Sequence, residues 1–170
     1  MAHPKHEQVR AWYACRCGYC GVAEDQVGGE LTIDHFVPVS AGGGEAEENL
    51  VYACHRCNLY KGDFAATQED HRRGHRVLHP LQDDAQTHFQ LNPVTGVLEP
   101  LTETGRFHIA LLHLNRPALV ALRLRKTRDT LRAARSELLA AENRELRAIL
   151  RAQQTYLASL QRLLQSPDAE

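Results

Sequence analysis

The chain has 170 residues, which suits one compact domain, or a small domain with an extension, and excludes a large multidomain protein. Lysine and arginine total 20 against 21 aspartate and glutamate residues, so the formal net charge at pH 7 is −1. A nearly neutral chain has no global positive field that would attract a polyanion. Any binding of nucleic acid must therefore depend on a local basic patch.

The first residues, MAHPKHEQVRAWYACRCGYC, carry ionisable side chains where a signal peptide needs an unbroken apolar run. No later apolar run approaches the length of a membrane span. We therefore expect a soluble, cytoplasmic protein without a membrane partner.

Residues 1–64 contain all five cysteines and the glycine-rich run AGGG. HPKHEQVRAWYA predicts a short helix that leads to the knuckle CRCGYC, and ELTIDHFVPVS alternates like a strand that ends near Pro38. NLVYAC predicts a short return strand, and HRCNLYKGDF predicts a helix that ends near Gly62. The expected order after the knuckle is strand, loop, strand and helix.

Residues 65–116 hold turn signals and short apolar runs. HFQLNPVTGVLEPL predicts a β-hairpin, and RFHIALLHL predicts a helix. His79, His88 and His108 lie in this segment, and we expect ordinary structural or solvent-exposed roles for them.

Residues 117–166 are expected to form one long helix or a helical hairpin, because no glycine or proline lies between Pro117 and Pro167. Leucines recur at heptad spacing, first at Leu124, Leu131 and Leu138, and then in a second register that ends at Leu164. A stutter in one coiled coil is favoured over a bend, because helix breakers are absent at the change of phase.

The apolar seam from Leu119 to Leu164 should meet a second copy of the chain, giving a homodimer, or a partner subunit. The alternative is that the arginine-rich start of the segment, RLRKTRDTLRAAR, lies along DNA.

Four cysteines form two Cys-x-x-Cys pairs, and this spacing lets two sulfurs of each pair chelate one tetrahedral zinc ion. The four are Cys17, Cys20, Cys54 and Cys57. The remaining thiol, Cys15, is expected to be free and partly buried, with substitution for Cys17 as the alternative. A closed site of four thiolates predicts structural zinc and gives no information on catalysis.

Three polar residues near the cysteines are harder to explain as scaffold. Asp34 and His35 are adjacent on the first predicted strand, and Asn58 directly follows Cys57 on the predicted helix. The oxygen ligands of Asp34 and Asn58 would suit a magnesium-type cation that is distinct from the zinc.

Residues 17–61 resemble the HNH endonuclease motif in its zinc-ribbon form. His35 matches the first histidine, Asn49 the central asparagine, Asn58 the last position and Asp34 the metal-binding aspartate. The four cysteines match the structural zinc ligands. Many members have histidine where this chain has Asn58, which puts the metal preference in doubt.

The resemblance implies an α+β fold: a ββα-metal core with a four-cysteine zinc knuckle, here followed by a small β-hairpin segment and a long C-terminal coiled-coil-like helix. It also implies hydrolysis of phosphodiester bonds in DNA, with phage defence or restriction as one setting. Mg²⁺ or Mn²⁺ would be the catalytic cation and Zn²⁺ the structural one.

In this interpretation His35 takes a proton from the attacking water, and Asn49 holds the loop that follows it. A cation on Asp34 and Asn58 stabilises the charge that grows on the phosphate. The side chains that could contact phosphates are Arg16, Arg56 and Lys61. The alternative function is a non-catalytic zinc-binding module that binds nucleic acid.

Overall fold

The structure is a computed structural model and describes residues 3–165. The first half of the described chain contains four α-helices and one pair of strands, with two single-turn 3-10 helices between the strands. The helices are α1 (His6–Trp12), α2 (Glu24–Val27), α3 (His55–Lys61) and α4 (Gln68–Arg73), and the strands are β1 (Thr32–His35) and β2 (Leu50–Ala53). The predicted first helix, the two strands and the helix that ends at Gly62 are all present.

β1 and β2 pair antiparallel, with Asp34 opposite Val51 and His35 opposite Leu50. All four residues of β2 are buried, whereas β1 buries Asp34 among more exposed neighbours. Because side chains alternate along a strand, Asp34 points to the protein interior while His35 lies on the opposite face. α3 begins directly after β2 and packs against β1.

The predicted hairpin is confirmed by β3 (Phe89–Leu91) and β4 (Leu98–Pro100), which pair antiparallel. The predicted helix after it is α5 (Glu103–Leu111). His79 and His108 are buried and bond to the backbone, since His79 Nε2 lies 2.8 Å from the carbonyl oxygen of Glu48 and His108 Nδ1 accepts from the N–H of Leu78. Their expected structural role is confirmed.

The hydrophobic core draws its side chains from distant parts of the first 124 residues. Val9 of α1, Leu50 of β2 and Leu112 after α5 are each fully buried. The chain between α5 and the next helix is held by Arg123, whose Nη2 donates to the carbonyl oxygen of Leu114 at 2.6 Å. The elements around β1 and β2 are therefore supported by residues well outside the cysteine-rich segment.

The last element, α6 (Pro117–Gln165), is one helix of 49 residues. The sequence predicts an apolar seam that begins at Leu119. That starting point is wrong, because Leu119 is buried in the core of the first unit at 4% exposure. The chain divides after Leu124 into two compact units, and the second contains the rest of α6. The side chain of Leu164 and all of residue 166 lie outside the described part.

Large apolar side chains on the second unit are exposed and recur along the helix. They include Leu131, Leu138, Leu146, Ile149, Leu150 and Leu157. Within the described residues, no helix has the length and apolar character that crossing a membrane requires.

Candidate functional site

Four cysteine sulfurs converge beside the β1–β2 pair. The ligand atoms of Cys17, Cys20, Cys54 and Cys57 all lie within 4.8 Å of one another. The Cys20 and Cys54 sulfurs are 3.8 Å apart, a separation close to the edge of a tetrahedron with metal–sulfur bonds of about 2.3 Å. A disulfide would need about 2.05 Å. The cluster fits one tetrahedral metal ion, and Cys15 lies outside it as a partly buried free thiol.

The local fold explains why the two cysteine pairs meet. The N–H of Cys17 donates to Val22 O, and the N–H of Gly21 donates back to Cys17 O, so the first pair lies on a tight turn. The N–H of Gly18 donates to Tyr52 O at 2.8 Å, which ties this turn to β2. The second pair follows β2 directly, because Cys54 occupies the N-cap position of α3 and Cys57 lies in its first turn.

A separate pocket of about 300 Å³ opens at the end of β1. Asp34, His35 and Asn58 all line it, together with Ser40 and Asp63. β1 provides the first two residues and α3 provides Asn58. Although Asp34 and His35 point to opposite faces of the strand, the pocket lies where the strand ends and both line its wall.

The carboxylate of Asp34 is buried and has two partners. The Tyr19 hydroxyl donates to Oδ2 at 2.6 Å, and Lys61 Nζ lies 3.1 Å from Oδ2 and 3.2 Å from Oδ1. Burial raises the pKa of Asp34, and the hydrogen bond from Tyr19 and the charge of Lys61 oppose that rise. Burial also raises the pKa of Tyr19 well above its ordinary value, which keeps its hydroxyl a donor.

Of the three basic residues considered for phosphate contact, two are exposed and one is buried. Arg16 and Arg56 lie at the surface. Lys61 is 2% exposed, and its Nζ also donates to the carbonyl oxygen of His35 at 2.6 Å. Lys61 is therefore not placed at the surface for phosphate contact, because its ammonium pairs with the buried carboxylate of Asp34.

His35 is hydrogen bonded through one ring nitrogen. Its Nε2 lies 2.9 Å from Oε1 of Glu45, and the other oxygen of the same carboxylate lies 2.6 Å from His3 Nε2. The hydrogen bonds from His3 and His35 lower the pKa of Glu45. Because an ionised carboxylate only accepts hydrogen bonds, His35 Nε2 carries a proton, and in the neutral imidazole the lone pair is then on Nδ1.

Asn49 closes the loop that follows His35. Its Nδ2 donates to Val37 O at 3.0 Å and to Gly44 O at 2.8 Å, and its Oδ1 accepts from the N–H of Val37 at 2.7 Å. The loop is tight at Gly43, where an added Cβ would lie 1.7 Å from Val37 O. The hydrogen bonds expected of Asn49 are present, and its contribution to catalysis stays a prediction.

The oxygen donors at the pocket suit a hard divalent cation. They are the carboxylate of Asp34, the side-chain amide of Asn58 and the carboxylate of Asp63. Asn58 Nδ2 lies 3.4 Å from Thr32 Oγ1, an orientation that leaves its Oδ1 free of that bond. This set of oxygen donors fits a divalent cation. A cation bound to Asp34 would compete with the Lys61 ammonium for the same carboxylate.

Comparison with known proteins assigns this region to a family. Residues 17–64 match the model of the HNH endonucleases. The chain therefore carries an HNH endonuclease domain, and this match contains both the cysteine cluster and the pocket at the end of β1.

A segment of 50 residues is 44% identical to the CRISPR-associated endonuclease Cas9 of Corynebacterium diphtheriae. That segment is 29% of this chain and spans only 4% of the length of the Cas9 protein. No solved structure gives a significant match.

Four residues at or near these sites escaped the sequence interpretation. Tyr19 and Glu45 bond to Asp34 and His35, and Asp63 lines the same pocket. The guanidinium of Arg116 lies beside the cysteine sulfurs. Asp63 lies two residues after the end of α3, so its position near Asn58 in the sequence could have indicated a third oxygen ligand. Nothing in the sequence marks the other three residues.

Proposed function

We propose that this protein is a metal-dependent endonuclease that hydrolyses phosphodiester bonds in DNA at the pocket beside β1. The observation that carries the proposal is the convergence of Asp34, His35 and Asn58 on one pocket within the segment that matches the HNH endonucleases. A general base next to hard oxygen ligands is the arrangement that metal-assisted hydrolysis of a phosphodiester requires.

His35 is the general base in this proposal. Its Nε2 bond to Glu45 leaves Nδ1 to accept the proton of an attacking water. The three hydrogen bonds of Asn49 hold the loop after His35 and so limit movement of the imidazole. Mg²⁺ or Mn²⁺, held by Asp34 and Asn58, would supply stabilisation of the negative charge on the phosphate.

The cysteine cluster is proposed to hold a structural Zn²⁺. Four thiolates leave no open coordination position for water or substrate. The cluster joins the turn at Cys17 and Cys20 to the start of α3, which carries Asn58. Zinc in this position would therefore fix the relation between the two parts of the chain that build the pocket.

DNA would be contacted through local basic side chains, since the net charge of the chain is −1. Arg16 and Arg56 are exposed near the cysteine cluster and are proposed phosphate contacts. Lys61 could contact phosphate only after its pairing with Asp34 opens.

The exposed apolar side chains of α6 support self-association or a partner subunit. Leu131 and Leu138 are 66% and 72% exposed, which is costly for large apolar groups in repeated positions. A homodimer is the preferred form, because two single-cut sites could then act on both DNA strands. Phage defence or restriction remains the proposed setting.

A non-catalytic nucleic-acid-binding module is the second candidate. The observation that favours it is the engagement of both Asp34 oxygens by Lys61 and of one by Tyr19. In this alternative the carboxylate serves only to stabilise the fold.

A plasmid assay separates the two functions. Supercoiled plasmid is incubated with protein of measured zinc content in Mg²⁺, in Mn²⁺ and without added divalent cation. The nuclease proposal expects nicked or linear DNA only with a divalent cation. Retarded but intact plasmid under every condition would support the binding module and refute the nuclease.

A further inference from the structure

The side chain of Arg116 lies against the cysteine cluster, far outside the segment that matches the HNH endonucleases. Its Nη2 is 3.8 Å from the sulfur of Cys20 and 3.9 Å from the sulfurs of both Cys54 and Cys57. The same nitrogen is therefore nearly equidistant from three of the four sulfurs. It lies over one triangular face of the tetrahedron that these sulfurs would form around a metal.

Several contacts hold the guanidinium at this place. Arg116 Nη1 donates to the carbonyl oxygens of Leu112 and His113, each at 3.3 Å. The Tyr60 ring lies below the guanidinium, with its centroid 5.9 Å from Cζ. Arginine is half-buried here, so the group that faces the sulfurs is oriented before any metal binds.

The backbone before Arg116 has an unusual conformation. His113 has a φ of 48°, in the left-handed region that non-glycine residues seldom adopt. The chain turns there between α5 and α6, and the turn brings Arg116 to the sulfurs just before α6 begins at Pro117. Strain of this kind persists when the surrounding contacts require it.

We propose that Arg116 caps the Cys20–Cys54–Cys57 face of the zinc centre and retains the metal there. This inference rests on the zinc site of the proposed function. Four thiolates and one Zn²⁺ carry a net charge of about −2, and a permanently charged guanidinium over one face offsets part of it. The cap also covers the sulfurs against a chelator or oxidant that approaches from that side.

Three variants of the full-length protein test the cap. Arg116→Gln removes the charge, and Arg116→Lys keeps the charge but loses the planar fork. Arg76→Gln is the control, because Arg76 is a half-buried arginine of the same unit whose guanidinium donates to Asp83 at 2.7 and 2.8 Å instead of facing the cysteines. Each zinc-loaded protein is mixed with a chromophoric chelator, and the rate of zinc release is measured below the unfolding transition.

Mutation of a residue that contacts the ligands of a metal, rather than the metal itself, typically lowers metal affinity by roughly 10–100-fold. We expect Arg116→Gln to release zinc faster by that factor, Arg116→Lys to lie between it and the wild type, and Arg76→Gln to release zinc at the wild-type rate. Equal rates for Arg116→Gln and wild type, or equal acceleration by Arg116→Gln and Arg76→Gln, would overturn the proposal.

Two controls keep the outcomes distinct. If Arg116→Gln does not fold, the Arg116→Lys rate decides, since faster release from a folded protein supports the cap and an unchanged rate refutes it. Cobalt replaces zinc in a second measurement, where the thiolate-to-cobalt absorption reports four-sulfur coordination directly. Wild-type protein that binds neither metal would refute the zinc site of the proposed function itself, whereas a wild-type site with an indifferent Arg116 refutes only the cap.

Discussion

The ammonium nitrogen of Lys61 lies 3.1 Å from Oδ2 of Asp34, and the two residues are 2% and 7% exposed. The pair joins the end of α3 to β1 inside the protein. Removing one partner of a buried ion pair leaves an uncompensated charge, which typically costs about 3–5 kcal/mol.

Lys61→Met should therefore lower the free energy of unfolding by about 3–5 kcal/mol. The double variant Asp34→Asn/Lys61→Met, which removes both charges, should recover a substantial part of that loss. Urea unfolding of the two single variants and the double variant measures the coupling. Strictly additive effects would show that the two side chains do not interact in solution.

Stability should fall in mild acid because of His108. Burial lowers the pKa of His108 from its ordinary value of 6.5 to about 4. A histidine with a depressed folded pKa contributes fully above its unfolded pKa, and the contribution is lost as the pH falls from about 6.5 towards 4, because the unfolded chain binds the proton first. The difference corresponds to about 3 kcal/mol of unfolding free energy.

His108→Gln keeps an acceptor for the N–H of Leu78 and removes the titration. Its unfolding free energy should vary less between pH 7 and pH 4 than that of the wild type, measured by urea unfolding at each pH. Carboxylates titrate in both proteins, so the comparison isolates His108. Parallel pH profiles for the two proteins would contradict the assignment.

The two metals should be separable by mutation. Cys57→Ser should release zinc and unfold the cysteine-rich segment, because structural zinc binding is coupled to folding. Asp34→Asn should keep its zinc and lose Mg²⁺-dependent cleavage. Elemental analysis and circular dichroism check the first result, and the plasmid assay checks the second. Freshly purified wild type without zinc would contradict the zinc assignment.

Removal of α6 beyond its first turns should abolish self-association. Deletion of residues 128–170 takes away the exposed leucines, and we expect a monomer in sedimentation and a shift of products from double-strand breaks towards nicks. In the full-length protein Leu138→Asp should have the same effect, while Ser136→Asp on another face of the helix should not. A wild-type protein that is monomeric at micromolar concentration would exclude the homodimer.

The elements around the site could be predicted because their signals are local. Alternation around Asp34, the spacing of the cysteine pairs and the glycine after α3 each lie within a few residues. α4 was missed although its start had a local signal, since Thr67 and Asp70 form a capping box. The continuity and the end of the long helix could be predicted from composition alone, because no glycine or proline lies between Pro117 and Pro167.

The interactions that tune the site could not be predicted because they join distant residues. Lys61 sits in a run that resembles a helix surface, and only the buried carboxylate of Asp34 explains its burial. Leu119 begins the predicted apolar seam but packs into the core of the first unit. Arg116 reaches cysteines more than fifty positions earlier. The spacing of apolar residues shows which side chains share a helix face, but it does not show which other residues that face packs against.

Cleavage by a His35→Ala variant tests the central claim most directly. The variant is compared with wild type and with His55→Ala, an exposed histidine of α3, in Mg²⁺ on supercoiled plasmid. We expect His35→Ala to cleave at least about 10²-fold more slowly, the usual effect of losing a positioned general base, with zinc content and melting temperature near those of wild type. Undiminished cleavage by folded, zinc-loaded His35→Ala would contradict the assignment of His35 as the base.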